Sequence, residues 1–590
     1  MTSKSGAWSG LSKADLAQQL HTDIRNPYVG ILYRLMGMHK WPQPEKWPQF
    51  ESAVACAAAL LQTLKVEVDP SDAPAIPAEG PLIVVANHPF GAVDGLILIS
   101  QIGHHRPDLK LLIDLETPGF SGLSGAMLPM GQKPTTAEIK RAVDHLESGG
   151  VLVVFPAGEV SRFSRDLRTV ADGRWSTFPA WLQETTGAPI LPVFIDGHGV
   201  DMVRLFEAVH PGLRRLPLPH RPLHLRRPLR NRQRGIQIRI GRAIARKEME
   251  GLENLEQVTR FLRAKTYALG AAVQVKRNWF ASVRKRAQRI EPLAAPISAA
   301  VIEAELLALP EEAKQFEQSG FVCYVAAYAH IPETMQAIGR LREETFRAVG
   351  EGTNHALDLD EFDLYYQHLI LWDTRGKAIA GAYRMGMGPM ISEEWGTKGF
   401  YTSTLFRFAK SFKPILRSSI ELGRSFVPVA YQRHRMPLFL LWKGILVQLI
   451  RNPDCRYIIG PVTISNSYNP LSRLLMMNYV SSEGQSDELE GLVKPRKPYK
   501  PKLTTRKLQD PEALLAAVGS DIRKLDKVVA DIEPDGFPLP VLLKRYLAQN
   551  ARILAFNHDP KFNDALDGFM ILDLEDLPPE TVANLQHEFA

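Results

Sequence analysis

The stretch LIVVANHPFGAVDGLILI, residues 82–99, decides the architecture of the first half of the chain. It begins with five apolar residues, passes through a short loop and ends in a second apolar run. This pattern predicts a buried parallel strand that leads through the loop into a helix. His88 lies in the loop, and five residues separate it from Asp94. An imidazole at the end of a buried strand, with a carboxylate to fix its tautomer, can act as a general base toward a hydroxyl group.

Two further apolar runs follow. Residues 151–155 read VLVVF and residues 188–195 read APILPVFI, and an amphipathic helical pattern at 137–148 precedes the first of them. Strands that alternate with helices predict an α/β domain whose site lies at the carboxyl ends of its strands.

The segment PAGEVSR, residues 156–162, supplies candidate ligand-binding residues. Gly158 allows the backbone to approach a ligand closely, and Ser161 and Arg162 can donate hydrogen bonds to a phosphate or carboxylate. For Glu159, a structural role and a contact with substrate are equally consistent with the sequence. The segment therefore predicts a binding loop at the end of the second strand.

These blocks, in this order, resemble the glycerolipid acyltransferases, whose signature joins a His and an Asp. The resemblance implies that His88 is the general base and Asp94 its partner. It also implies a loop that binds the acceptor lipid, formed by Asn87, Gly158, Glu159, Ser161 and Arg162. Ala157 departs from the Phe-Pro-Glu-Gly block of that family, which makes Glu159 the candidate replacement for the missing Glu. The structural alternative is a loop histidine with satisfied hydrogen bonds and an Asp that only caps a helix.

Composition indicates an ordinary globular protein with more than one domain. The 590 residues exceed the ~250–300 at which a single core stops growing. A content of 45% hydrophobic and 23% charged residues is typical of folded domains. Cys56, Cys323 and Cys455 are far apart and odd in number, which favours a reducing compartment and predicts neither disulfides nor a metal cluster.

Targeting signals are not evident from the sequence. Residues 1–8 lack the apolar core of a secretory signal, and no uninterrupted apolar run reaches the ~18 residues of a membrane span. The longest candidate, residues 436–450, is interrupted by Lys443. We therefore expect a cytoplasmic protein, peripheral on the inner face of the cytoplasmic membrane.

A basic stretch, residues 208–247, contains no Asp or Glu, while the net charge of the chain is +7. Its arginines alternate with Pro and Leu and crowd at Arg214, Arg215, Arg221, Arg226, Arg227, Arg230, Arg232 and Arg234. Such a pattern suits an anionic membrane surface, where each basic residue contributes ~1 kcal/mol, or an acidic acyl carrier protein. Nucleic acid is disfavoured because the stretch has no aromatic residues for stacking. A merely solvated basic face is the remaining alternative.

A second domain begins after the linker-like residues 290–296, IEPLAAP. A helix is expected at 298–309, another from Pro332, and a third at 438–449. Strands are expected at 321–326, 368–373, 378–385, 418–427 and 457–462, then at 552–556 and 569–573 after a helix at 538–546. A strand, a helix and an antiparallel ribbon in this order resemble the GNAT N-acyltransferase fold, with 418–427 as its central strand.

Polar residues of this domain resemble those of the acyl-carrier-protein-dependent GNAT branch, which includes acyl-homoserine lactone synthases and aminolipid N-acyltransferases. The matching positions are Arg342 with Phe346, Asp360 with Asp363, Arg384, and Glu421 with Arg424. The resemblance implies that Glu421 acts on the ammonium of the acceptor and that the others bind substrate. Strand alternation puts Glu421 and Arg424 on opposite faces unless a bulge intervenes, so we expect one to face the amine and one to hold the surrounding loop. A structural network of ion pairs is the alternative.

The loop after the central strand, residues 428–435, reads PVAYQRHR and lacks glycine. Coenzyme-A-dependent GNAT proteins bind a pyrophosphate there on a glycine-rich loop at a helix start. Bulky side chains would keep a pyrophosphate from the backbone, whereas Arg433 and Arg435 can meet an acidic carrier protein. We therefore expect no bound cofactor and an acyl-acyl carrier protein as donor, with acyl-coenzyme A less favoured.

As a whole, the chain resembles the bifunctional ornithine-lipid synthases. This implies two α/β domains, a glycerolipid-acyltransferase fold followed by a GNAT-like fold. The expected boundaries are an N-terminal helical segment at 1–50, an O-acyltransferase domain at 51–290, a linker helix at 291–320 and an N-acyltransferase domain at 321–590. The second domain would N-acylate an amino acid with a 3-hydroxyacyl group, and the first would O-acylate the hydroxyl of that lyso-lipid.

Two other functions are compatible with the residues. The chain could be a phospholipid-remodelling enzyme of the 1-acylglycerol-phosphate type whose second domain only docks the carrier protein. It could instead be a membrane-active scaffold of the kind named hemolysin. The residues alone, without the resemblance, predict two acyltransferase-like domains at a membrane surface.

Overall fold

The structure is a computed structural model that divides into two compact units. It describes residues 50–63, 66–69, 76–114, 121–131, 133–164, 169–196, 236–272, 290–483, 488–499, 509–534, 536–560, 564–581 and 583. The first unit comprises the described residues up to 272 together with 509–519, and the second comprises the rest. The predicted segment 1–50, apart from Phe50, and residues 208–235 of the basic stretch lie outside the described residues.

A mostly parallel sheet lies at the centre of the first unit. The described strands are β1 (Val68–Asp69), β2 (Leu82–Ala86), β3 (Leu109–Asp114), β4 (Met127–Met130), β5 (Val151–Val154), β6 (Arg162–Ser164), β7 (Thr169–Ala171), β8 (Ile190–Ile195) and β9 (Ile236–Ile240). The main sheet has the order β1-β9-β8-β2-β5-β3-β4, and only β9 is antiparallel to a neighbour, at its pairing with β8. A separate hairpin joins β6 to β7.

The three predicted apolar runs become adjacent strands at the centre of this sheet. Strands β2, β5 and β8 are buried along their whole length, and β2 pairs in parallel with both others. Continuous Val, Ile and Leu runs are what a strand buried on both faces requires. Because the strands are parallel, the polar segments that follow them meet at one edge of the sheet.

Helices pack around this sheet. They are α1 (Ala53–Thr63), α2 (Ala92–Gly103), α3 (Thr136–Glu147), α4 (Phe178–Thr186), α5 (Leu255–Leu269) and α12 (Pro511–Val518). Thr135 and Glu138 form a capping box that fixes the start of α3. Helix α12 comes from late in the chain yet packs on α5, where Arg260 Nε lies 2.5 Å from Asp510 Oδ2. Part of the predicted second domain is therefore built into the first unit.

The second unit is a mixed sheet with helices on it. Its described strands are β10 (Lys314–Gln318), β11 (Phe321–Ala327), β12 (Gln367–Asp373), β13 (Ala378–Met387), β14 (Phe406–Phe408), β15 (Ser419–Phe426), β16 (Tyr457–Ile464), β17 (Val493–Pro495), β18 (Arg552–Asp559) and β19 (Ala565–Asp573). The main sheet has the order β10-β11-β12-β13-β15-β16-β19-β18, and β14 pairs with β17.

The helices of the second unit are α6 (Ala299–Leu307), α7 (Pro332–Ala348), α8 (Gly388–Glu394), α9 (Lys413–Arg417), α10 (Arg435–Arg451), α11 (Pro470–Glu483), α13 (Ile522–Ile532) and α14 (Val541–Leu547). Helix α7 begins at a proline in its first turn, as the sequence predicts. The two α/β folds predicted from the sequence are confirmed. Among the helices described, none has both the length and the apolar character needed to span a bilayer.

The central strand, β15, is irregular at Arg424. Its pairing with β13 shifts register between Gly423 and Phe426, and Arg424 has a positive φ of 49°. On its other side, β15 pairs in parallel with β16 only from Ser419 to Glu421. A bulge bends its strand and increases the local twist, so the two strands separate beyond this point. A gap therefore opens in the middle of the sheet.

Gly460 of β16 lies close to the backbone of β15. A Cβ at this position would lie 2.3 Å from the Leu422 carbonyl oxygen. We expect Gly460→Ala to lower the free energy of unfolding by about 1–3 kcal/mol, because backbone must move to admit the methyl group. Urea unfolding followed by circular dichroism measures this.

Gly423 of β15 provides the matched control. A Cβ there meets no atom within 4 Å. Gly423→Ala should therefore change the unfolding free energy by less than about 0.5 kcal/mol. Equal midpoints for Gly460→Ala and the wild type would contradict the close approach of β15 and β16.

Candidate active sites

His88 and Asp94 meet at the end of β2, as the sequence predicts. Asp94 lies in the first turn of α2, and its Oδ2 is 2.9 Å from His88 Nδ1. The Asp94 side chain is fully buried, whereas the His88 side chain keeps 17% of its surface exposed. Asp94 Oδ2 also accepts a hydrogen bond of 2.8 Å from the Phe90 amide. Burial raises the pKa of Asp94, although the contact with His88 and this hydrogen bond oppose the rise.

The His88 ring is held on one face as well as at one nitrogen. It stacks on Phe155 with the ring centroids 4.1 Å apart. Since Nδ1 points to Asp94, Nε2 is the nitrogen that can accept a proton from a substrate. A carboxylate beside Nδ1 favours the tautomer with a free Nε2 lone pair. The pair therefore has the geometry of a general base and its orienting partner.

Asp172, which was not predicted from the sequence, holds the loop that carries His88. Its Oδ1 accepts hydrogen bonds from the His88 amide, at 3.1 Å, and from the Ser161 hydroxyl. Its Oδ2 accepts one of 2.9 Å from Trp175 Nε1, and its own amide donates to Tyr267 Oη at 2.8 Å. Asp172 is a lone carboxylate after the short strand β7, and nothing in the local sequence marks it.

Two predicted ligand-binding residues are engaged with protein atoms. Asn87 donates to the Ile195 carbonyl at 2.8 Å and accepts from the Ile195 amide at 2.7 Å, which ties the end of β2 to the end of β8. The Ser161 hydroxyl is buried on Asp172, and its amide donates to the His88 carbonyl at 2.8 Å. Both residues therefore shape the loop in this structure.

The other three predicted residues of this loop lie at the surface. Gly158 has a positive φ of 65°, and a Cβ there meets nothing within 4 Å. Glu159 and Arg162 form an exposed ion pair with Oε2 and Nη2 2.6 Å apart. These groups are accessible to a ligand, and their contact with substrate stays a prediction.

The gap in the sheet of the second unit holds a cavity of about 1130 Å³. Apolar residues from α7, β15 and α10 form much of its wall, including Phe346, Leu422, Phe426, Leu438 and Leu441. Its ionisable residues include Glu351, Arg424, Arg433, Asp567 and Glu533. A large apolar cavity with a few charged groups is the ordinary form of a ligand site.

The charged residues predicted for this domain form one network. Arg342 Nη1 lies 2.8 Å from Asp363 Oδ1, and Arg384 Nη1 lies 3.4 Å from Asp363 Oδ2 and contacts Asp360. Asp360 Oδ2 is in turn 3.3 Å from Arg424 Nη2. Burial raises the pKa of Asp363, but the two guanidinium groups outweigh it, so that this pKa lies well below its usual range. Sequence reasoning left an ion-pair network open, and the structure shows one.

Glu421 and Arg424 take different places in the structure. Glu421 is buried and accepts four hydrogen bonds, from the Tyr366 hydroxyl, the Tyr401 amide and the Thr402 amide and hydroxyl. Arg424 lines the cavity, whereas Glu421 is not among the residues that form its described wall. The catalytic role of Glu421 stays a prediction, and its observed contacts hold the segment around Tyr401.

The contacts of Asp172 generate a test of the first site. In Asp172→Ala, three donors lose their acceptor: the buried Ser161 hydroxyl and Trp175 Nε1, and the partly buried His88 amide. Since each unsatisfied donor costs about 1–3 kcal/mol, we expect the free energy of unfolding to fall by about 3 kcal/mol or more. Scanning calorimetry of the purified protein measures it.

Glu159→Ala is the control for this change because it breaks only an exposed ion pair. Such pairs contribute about 0–1 kcal/mol to stability, so the unfolding temperature of Glu159→Ala should stay close to that of the wild type. Equal stability of the two variants would contradict the role of Asp172 in holding the loop.

Comparison with known proteins adds to these observations. The sequence profile of the Acetyltransferase (GNAT) domain matches residues 341–442. A solved structure, the 1-acyl-sn-glycerophosphate (LPA) acyltransferase PlsC of Thermotoga maritima, is 15% identical and covers 42% of this chain and 92% of its own. Its TM-score is 0.25, and a likeness of this size carries no weight for the first unit.

Two curated relatives are both named glycine N(alpha)-acyltransferase. That of Phocaeicola vulgatus is 30% identical over 279 residues, which cover 45% of this chain and 83% of the relative. That of Bacteroides thetaiotaomicron is 29% identical over 279 residues, which cover 45% of this chain and 80% of the relative. The GNAT domain and the N-acyltransferase chemistry expected of it agree with these findings. The chain therefore belongs to the N-acyltransferase family that includes these two proteins, and it is an acyltransferase with a GNAT domain.

Proposed function

We propose that the protein is a bifunctional acyltransferase that makes a diacylated aminolipid. The second unit transfers a 3-hydroxyacyl group to the amino group of an amino acid, and the first unit acylates the hydroxyl of the product. One observation carries this proposal. The same chain holds a His88–Asp94 pair suited to a hydroxyl acceptor and, in its GNAT-bearing unit, a separate cavity lined by Arg424.

In the first unit, His88 would act as the general base. Its Nε2 takes the proton of the hydroxyl while the hydroxyl oxygen attacks the carbonyl carbon of an acyl thioester. The C–O bond forms, the C–S bond breaks, and the imidazolium returns the proton to the leaving sulfur. Asp94, 2.9 Å from Nδ1, stabilises the imidazolium, and Phe155 keeps the ring in place.

In the second unit, the size and lining of the cavity suit a long acyl chain. At about 1130 Å³ it exceeds the ~300–1,000 Å³ of ordinary small-molecule sites. Leu422, Leu438 and Leu441 offer an apolar wall to the chain. Arg433 also lines the cavity, and it belongs to the glycine-free loop that favours a carrier protein over coenzyme A as donor.

The acceptor is an amino acid with a free ammonium group. The resemblance to ornithine-lipid synthases favours ornithine, whereas the names of the two relatives indicate glycine as a second candidate. The basic stretch, residues 208–247, would hold the enzyme at an anionic cytoplasmic membrane surface, where its lyso-lipid product resides. No bound cofactor is required by this chemistry.

Lipid mass spectrometry in a host without aminolipids tests the proposal. We expect the wild type to produce a diacylated aminolipid whose mass identifies the head group. His88→Ala should slow the O-acylation by ~10²–10⁴-fold, so that the mono-acylated aminolipid accumulates. Asp94→Asn should also raise the ratio of mono-acylated to diacylated aminolipid. His105→Ala, an exposed histidine of the first unit, is the matched control and should leave the ratio unchanged.

Gly423→Phe tests the second unit in the same host. Its Cβ meets nothing within 4 Å and Gly423 lines the cavity, so the ring should fill space needed by the acyl chain. Both aminolipids should then disappear, since N-acylation comes first. Altered phospholipid chains that depend on His88, without any aminolipid, would instead support the remodelling enzyme. Lipids that respond to neither variant would support the scaffold.

A further inference from the structure

We propose that Asp567 is the general base that deprotonates the acceptor amine in the second unit. This assignment rests on the N-acyl transfer proposed above and names the residue that makes the amine nucleophilic. An ammonium has no lone pair, so it must lose a proton before it can attack a thioester. A base for that proton has to face the place where acyl donor and amine meet.

The position of Asp567 meets this requirement. It lies on β19, between Thr463 of β16 and Asn557 of β18. The residue is only 5% exposed, yet it lines the cavity. Thr463 Oγ1 donates a hydrogen bond of 2.8 Å to Oδ1, which fixes the carboxyl group on the wall of the gap. Strand β16 is the one that separates from β15 at this gap, so Asp567 is held by a rigid sheet beside the opening.

The surroundings of Asp567 adjust its proton affinity to the task. Burial raises the pKa of Asp567 to about 7, and the carboxylates of Asp559 and Glu351 push it in the same direction. The Thr463 hydrogen bond and the Arg424 guanidinium oppose the rise. A base with a pKa near the working pH combines an available carboxylate with a useful driving force for proton transfer.

Other carboxylates are less suitable. Both oxygens of Glu421 are occupied by Tyr366, Tyr401 and Thr402 donors. Glu533 lines the cavity, but it accepts a hydrogen bond of 2.9 Å from the Asn469 amide. Glu351 is the nearest rival. Burial raises its pKa as well, but it lies in the segment after α7 rather than on the sheet and is hydrogen-bonded to Ser465.

The proposed step is balanced without any further reactant. Asp567 takes one proton from the ammonium, and the neutral nitrogen attacks the thioester carbonyl carbon. The C–N bond forms and the C–S bond breaks, and the second proton lost by the nitrogen goes to the leaving thiolate. Asp567 then releases its proton to solvent. The products are an amide, a free thiol and one proton.

The pH dependence of N-acylation by the purified full-length protein tests this. Acyl-acyl carrier protein and the amino acid are supplied, and amide formation is followed by mass spectrometry. The wild-type rate should rise through about pH 7, because the carboxylate of Asp567 forms there. Asp567→Asn should lower the rate at neutral pH by ~10²–10⁴-fold and lose this rise. Its rate should recover only above the pKa of the free amine, where no base is needed.

Glu351→Gln distinguishes the rival base. Its negative charge raises the pKa of Asp567, so its removal should shift the rise to lower pH without abolishing it. Asp573→Asn, on the same strand but outside the cavity wall, is the matched control and should keep the wild-type profile. If Glu351→Gln abolishes the rise and Asp567→Asn keeps it, the assignment is overturned.

Thermal unfolding separates chemistry from misfolding. The folded pKa of Asp567 lies above its unfolded value, so the fold loses stability as the pH rises from the unfolded pKa to about 7, and this loss is fully present above that pH. Asp567→Asn should therefore melt at the same or a higher temperature than the wild type above that pH. If the wild type forms no amide, the proposed function and this assignment both fall. If it does and Asp567→Asn matches it, only this assignment is overturned.

Discussion

The cavity of the second unit depends on the backbone conformation of Arg424. A positive φ is unfavourable for a residue with a Cβ, so the surrounding structure must hold it. Asp358 Oδ2 lies 3.2 Å from Arg424 Nε, and Asp360 contacts the same guanidinium. Asp360 is in turn held by Arg384. The buried ion pairs therefore have a mechanical role, because they hold the bulge that separates β15 from β16.

The first unit positions His88 by a different means. A parallel sheet brings the carboxyl ends of β2, β5 and β8 to one edge, and polar groups from each tie the loops together. Asn87 ties β2 to β8, and Asp172 ties the His88 amide to Ser161. The His88 ring keeps a partly exposed edge. The same set of hydrogen bonds thus holds the loop and leaves part of the His88 ring accessible.

Much of this fold could be predicted from the sequence, because apolar runs of strand length and helical periodicity are local signals. The His88–Asp94 contact was also accessible, since a loop and the first turn of a helix bring the two residues together. Asp172 and Asp567 were not predicted as site residues. Their partners lie 84 and 104 residues away along the chain, and only the folded sheet brings them together. The hydrophobic periodicity of a local segment does not indicate contacts between residues so far apart in the chain.

The two sites differ in a way that follows from their proposed acceptors. A hydroxyl is a weak acid, and an imidazole backed by the buried Asp94 can accept its proton while the oxygen attacks. An ammonium is a stronger acid that must be deprotonated beforehand, and a carboxylate whose pKa is raised to about 7 suffices for it. Under the proposed function, His88 at the edge of one sheet and Asp567 in the gap of another would be two bases matched to two nucleophiles. On that proposal, the chain would acylate first a nitrogen and then an oxygen of the same lipid.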